Sequence, residues 1–137
     1  MGHSVDAGCQ FMVSPGASPR LLEAAGGYGI PLLPGIGTPT EAMTASEHGY
    51  SFLKFFPAEA LGGVKVLKAY ASPLSDITFC PTGGIDAASA PRYLALPNVI
   101  TVGGSWMVPA DALAARDFAK IESLAREAAT LRHPVAR

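Results

Sequence analysis

Lys54 is the only charged side chain within the apolar stretch Phe52-Leu-Lys-Phe-Phe-Pro57. If this stretch is a strand, a period of two puts Phe52, Lys54 and Phe56 on one face and Leu53 and Phe55 on the other. Phenyl rings around the amine are expected to disfavour the ammonium by desolvation. A neutral amine of that kind adds to a ketone and forms a Schiff base. The competing reading is an edge-strand or snorkelling lysine whose head reaches water.

Glycines supply a second chemical signal. Gly83-Gly84 and Gly103-Gly104-Ser105 each follow a strand-like run, Ile77-Thr-Phe-Cys80 and Val99-Ile-Thr-Val102. Paired glycines after strands are often no more than tight-turn residues. Two pairs in successive units, one followed by a serine hydroxyl, favour an anion site built from backbone N–H groups.

These residues need elements to position them. Further strand-like runs are Phe11-Met-Val-Ser-Pro-Gly16 and Ile30-Pro-Leu-Leu-Pro-Gly35, and each run leads into a segment with helix signals. Thr38-Pro-Thr-Glu41 offers a capping hydroxyl, proline at the first helical position and a glutamate able to close a capping box. Ser18-Pro19 repeats the cap and proline. The helix after Ser18 should stop at Gly26-Gly27, and the helix after Thr38 near His48-Gly49. Asp117 can cap a last helix whose apolar face is Phe118, Ile121, Leu124, Ala128 and Leu131, expected to cover the core. The run-to-run spacing of about twenty to twenty-five residues predicts an α/β domain of alternating parallel strands and helices.

With 137 residues, 49% hydrophobic content and net charge −1, a single domain spanning the chain is feasible. Met1-Gly-His-Ser4 reads as an appended beginning and residues 133–137 as a frayed tail. No Lys/Arg cluster supplies the attraction that nucleic acid or an anionic membrane needs, so the expected partner is a small molecule or another subunit. Cys9 and Cys80 match no zinc spacing, and no signal peptide or long apolar run accompanies them, which fits reduced thiols in a cytoplasmic protein. His3, His48 and His133 lack the spacing of a metal site.

Three motifs, Phe52-Leu-Lys-Phe-Phe-Pro-Ala-Glu59, Phe79-Cys-Pro-Thr-Gly-Gly-Ile85 and Gly103-Gly-Ser-Trp-Met-Val-Pro109, closely resemble the 2-keto-3-deoxy-6-phosphogluconate (KDPG) aldolase family. Val13-Ser-Pro-Gly16 and Leu33-Pro-Gly-Ile36 extend the resemblance over residues 5–127. It implies a (β/α)8 TIM barrel, here a partial barrel of about the last five βα units, and a homotrimer. It implies a class I aldolase of the Entner-Doudoroff pathway. Such an enzyme cleaves the phosphorylated 2-keto-3-deoxy acid to pyruvate and glyceraldehyde 3-phosphate, with 4-hydroxy-2-oxoglutarate as a second substrate.

By the same resemblance, Lys54 is the Schiff-base lysine and Thr82 a residue of stereochemical control. Pro15 and Phe56 pack against the pyruvate moiety, while Gly83, Gly84, Gly104 and Ser105 cradle the phosphate. Cys80 and Trp106 read as packing residues. No cofactor is implied, because the protonated imine is itself the electron sink.

The family's first three strands have no counterpart here. They carry a glutamate general acid/base and an arginine and a threonine that bind the substrate carboxylate. Glu23, Glu41, Glu47 and Glu59 are poor substitutes, falling on helices or at the outer edge of a turn. The alternative reading is therefore a truncated, catalytically impaired, phosphate-binding barrel fragment.

Overall fold

The computed structural model describes residues 1–131, and the tail expected at 133–137 lies outside them. All strand pairing is parallel. Strand β1 (Met12–Val13) pairs with β2 (Leu32–Leu33), and β3 (Gly35–Ile36), β4 (Phe52–Phe55) and β5 (Thr78–Pro81) form a second sheet in that order. The strands alternate with helices, so the chain is α/β as the spacing predicted.

The division between β2 and β3 falls at Pro34, which has no N–H to donate to a ladder. Its carbonyl still serves β4, accepting from the Lys54 N–H at 2.9 Å. One residue on, the Gly35 N–H donates to the Ser14 hydroxyl at 3.3 Å. The fifth run, after residue 98, makes only the isolated parallel bridges Phe79↔Val99 and Thr82↔Gly103. The two bridges differ in register by one residue, and that extra residue breaks the ladder that would have made a regular strand.

Helix α1 (Gly2–Asp6) includes residues the sequence suggested were an appended beginning, and Met1 packs against a small cluster of Met12, Ala25 and Leu32. Helix α2 (Pro19–Ala25) is capped by the Ser18 side chain and runs into a 3₁₀ turn before stopping at Gly29, which is left-handed. Helix α3 (Pro39–Glu47) starts with the expected capping box, and His48 caps its end. Helices α4 (Gly63–Tyr70) and α5 (Ala90–Leu94) complete the buried layer.

The main core lies between the sheet and these helices. Leu53, Phe55 and Phe79 are fully buried on the face opposite Lys54, with Ala42, Ala45, Leu67 and Tyr93 against them. Phe55 meets Tyr70 edge-on at 6.0 Å and Phe79 at 6.5 Å between ring centroids.

Beyond α6 (Ala110–Ala114), helix α7 (Phe118–Thr130) begins where expected, with the Asp117 carboxylate accepting from the Lys120 N–H at 3.0 Å. Its expected core-covering role is corrected. None of its residues is buried and Phe118 is 63% exposed, leaving Leu131, just past its end, as the apolar contact with the main core. Amphipathic spacing shows that a helix has an apolar face, but not that a partner surface lies within reach of it.

Candidate active site

The period of two holds along β4. Leu53 and Phe55 are buried, whereas Phe52 is exposed and Lys54 and Phe56 are half-buried. One ring attends the amine. The Lys54 Nζ lies 4.5 Å from the centroid of the Phe56 ring, in cation–π geometry. Phe52, expected to form the second wall, is 54% exposed.

Lys54 sits between Gly35 on β3 and Cys80 on β5 in the parallel register, so the three share a sheet face. Gly35 is glycine for a steric reason. A Cβ there would meet the Pro15 carbonyl carbon and oxygen at 2.3 Å each, because the backbone of the turn after β1 rests on it. That close approach brings Pro15 onto the same face, one strand from the lysine. Ser14 secures the turn through its hydroxyl and through its own N–H, which donates to Leu33 O at 3.2 Å.

On β5, Cys80 is buried, and burial pushes its thiol above the ordinary range, against smaller opposing pulls from the Thr82 hydroxyl and the Lys54 charge. Thr82 projects from the same face two residues later. Its hydroxyl donates to the Cys80 carbonyl at 3.3 Å. Phe55 O accepts from the Thr82 N–H at 2.9 Å, which ties the end of β5 to that of β4.

The two glycine turns lie side by side, joined by the Thr82↔Gly103 bridge and by the Gly103 N–H, which donates to Pro81 O at 2.9 Å. Gly83 and Gly84 have φ of 102° and 79°, a left-handed backbone that side chains resist. A Cβ on Gly83 would press on the Phe56 ring at 3.2 Å. Gly104 is overlaid by the Trp106 ring, half-buried against the core, as the packing reading of Trp106 expected. Among the described residues the N–H groups of Gly83, Gly84, Gly104 and Ser105 donate to no protein acceptor, and the Gly83 carbonyl accepts from the Glu59 N–H at 3.1 Å.

All of these residues lie on one face or at the C-terminal ends of parallel strands, the end where ligands bind in such sheets. Pro15, Lys54, Phe56, Thr82 and the two glycine turns are brought together. Glu23, Glu41 and Glu47 are not, and Glu59 reaches only the outer side of the Gly83-Gly84 turn. Glu41 closes the capping box, its carboxylate held below the usual range first by the Gly37 N–H, which donates at 2.8 Å, and further by Thr38. Sequence reasoning missed the part played by Ser14, whose hydroxyl replaces a ladder carbonyl, and no pattern marks such a substitution.

Residues 1–124 match the family model for KDPG and KHG aldolases. The KHG/KDPG aldolase of Escherichia coli K12 is 55% identical over 123 residues, covering 90% of this chain and 58% of that protein. The 2-dehydro-3-deoxy-phosphogluconate aldolase of Treponema pallidum is 47% identical over 121 residues, with 88% and 58% covered. The crystal structure of the KDPG aldolase of Zymomonas mobilis superposes with a TM-score of 0.91 at 43% identity, covering 98% of this chain and 64% of that one. A Legionella pneumophila KDPG aldolase, with pyruvate captured as a covalent carbinolamine intermediate, superposes with a TM-score of 0.87 at 43% identity, with 90% and 60% covered. The chain thus spans 58% of the length of the curated relatives it matches first.

Proposed function

Because this chain belongs to the KDPG and KHG aldolase family, we infer that it carries the Schiff-base and phosphate-binding half of a class I aldolase. One observation supports this above all: the Lys54 amine and two glycine turns share the C-terminal end of one parallel sheet. On this reading the strand runs are the last five units of an eightfold barrel, forming a single domain, and the barrel interior is the face that bears Lys54. The protein acts in the cytoplasm as a homotrimer.

In this mechanism the Lys54 amine adds to the keto carbon of 2-keto-3-deoxy-6-phosphogluconate, and the carbinolamine loses water to give a protonated imine. Loss of the C4 hydroxyl proton to a water molecule and cleavage of the C3–C4 bond send the electron pair into the imine, releasing glyceraldehyde 3-phosphate and leaving an enamine. Protonation of the enamine and hydrolysis return pyruvate and the free amine. Pro15 and Phe56 confine the three pyruvate carbons, and Thr82 orients the face of attack. Amides at Gly83, Gly84, Gly104 and Ser105 receive the phosphate. 4-Hydroxy-2-oxoglutarate, which lacks a phosphate, uses only the lysine half.

The alternative reading is a truncated, catalytically impaired, phosphate-binding barrel fragment. The glutamate and the arginine implied by the family belong to strands without a counterpart here, and general acid/base help is worth about a hundred- to ten-thousand-fold in rate. On that reading the chain binds phosphorylated acids without turnover. Pyruvate release from each substrate, compared with Lys54→Ala, separates the two. The aldolase reading expects release that the substitution abolishes. Phosphate binding with no release supports the binding-only fragment.

A further inference from the structure

Glu59 lies at the outer edge of the turn after β4, outside the roles assigned above, yet three contacts converge on it. The Tyr93 hydroxyl on α5 donates to its Oε1 at 2.5 Å. Its N–H donates to Gly83 O at 3.1 Å, next to the 2.8 Å bond from the Ala58 N–H to Thr82 O. The backbone of Gly84 rests on its side chain so closely that a Cβ on Gly84 would come within 2.8 Å of Glu59 Cβ and 2.9 Å of Cγ. Glu59, itself exposed, therefore bridges the glycine turn and Tyr93.

Tyr93 is itself held firmly. It is fully buried, and its hydroxyl end approaches Gly63 so closely that a Cβ there would sit 2.5 Å from the oxygen. Burial first, and then Glu59, raise the phenol well above its ordinary range, so it remains a donor. A buried aromatic on a short helix is a fixed point, and a carboxylate bonded to it cannot swing toward the turn.

We propose that Tyr93 and Glu59 are positioning residues: the Tyr93 hydroxyl pins the Glu59 carboxylate, and the pinned side chain fixes the left-handed Gly83-Gly84 turn so that the Gly84 amide faces the anion. This deepens the aldolase reading and rests on its phosphate cradle. Glu59 acts on the ligand through the glycine turn, since a carboxylate beside an anion would by charge alone repel it.

That sign makes a test. Inorganic phosphate is titrated into the chain while the amide signals of Gly84, Gly104 and Ser105 are followed by 1H–15N NMR, and the same samples are treated with pyruvate and borohydride. In the parent the three amides shift saturably. Tyr93→Phe and Glu59→Ala weaken phosphate about tenfold and keep the pyruvate adduct, whereas Glu59→Gln, whose amide oxygen still accepts from Tyr93, binds as the parent does. Parental or tighter phosphate binding in both Tyr93→Phe and Glu59→Ala would overturn the proposal. So would loss of a dispersed spectrum in both, because the pair would then serve folding only. A parent that traps pyruvate but whose glycine amides ignore phosphate overturns this inference alone; a parent that does neither overturns the aldolase reading as well.

Discussion

Gly35 shows how one missing side chain builds a site. It lies beside Lys54 in register and under Pro15, where a Cβ would sit 2.3 Å from the Pro15 carbonyl carbon and oxygen. Gly35→Ala should therefore cost about 1–3 kcal/mol through overpacking against backbone, read as a lower urea midpoint at unchanged slope. An unchanged midpoint would mean the turn after β1 is not fixed there. Cys80 offers a second prediction. Burial raises its thiol, and Cys9 is exposed. A thiol reagent at neutral pH should modify Cys9 first and Cys80 slowly, in two resolved phases, and a single fast phase for both would contradict the burial. Lys54 and the glycine pairs stood out in the sequence because a charge in an apolar run and glycine after a strand are local signals. The Glu59 bond to Tyr93 spans 34 residues and left none.

At the scale of elements, the most legible part was α3. Thr38-Pro-Thr-Glu41 predicted its start, and both halves of the capping box are formed. Thr38→Ala should cost about 0.5–2 kcal/mol. Glu41 adds a pH dependence of definite sign. Its folded-state carboxyl titrates below the unfolded one, so its contribution is present above the ordinary carboxylate range and is lost as pH falls through the lowered value. Thermal melts of the parent and Glu41→Gln should converge as the pH is lowered through that window, and a constant gap would contradict the assignment. The elements read least well were those decided by distant partners. The break at Pro34 was visible as a proline, but the Ser14 hydroxyl that bridges it was not. Helix α7 has the apolar spacing of a core helix and buries none of its own residues.

For the whole molecule, stability turns on the Lys54 face of the sheet, which carries exposed apolar side chains. Phe11 is 62% and Ile100 61% exposed, and Val13 and Phe52 are also open to solvent. Val13, on the strand that pairs with β2, follows Phe11 by two, and Leu33 and Gly35 carry that face across to Lys54. Apolar area of this kind on a sheet rarely stays bare. Size exclusion with light scattering should give a mass above that of one chain, falling toward it when Phe52 and Ile100 are both replaced by serine. A well-folded monomer in the parent would contradict the account of that face.

The central claim is that Lys54 is a Schiff-base nucleophile, and intact mass after incubation with pyruvate and borohydride tests it most directly. The account predicts one pyruvyl adduct that peptide mapping assigns to Lys54 and that Lys54→Ala abolishes. An unmodified mass, or an adduct spread over Lys65, Lys68 and Lys120, would contradict it.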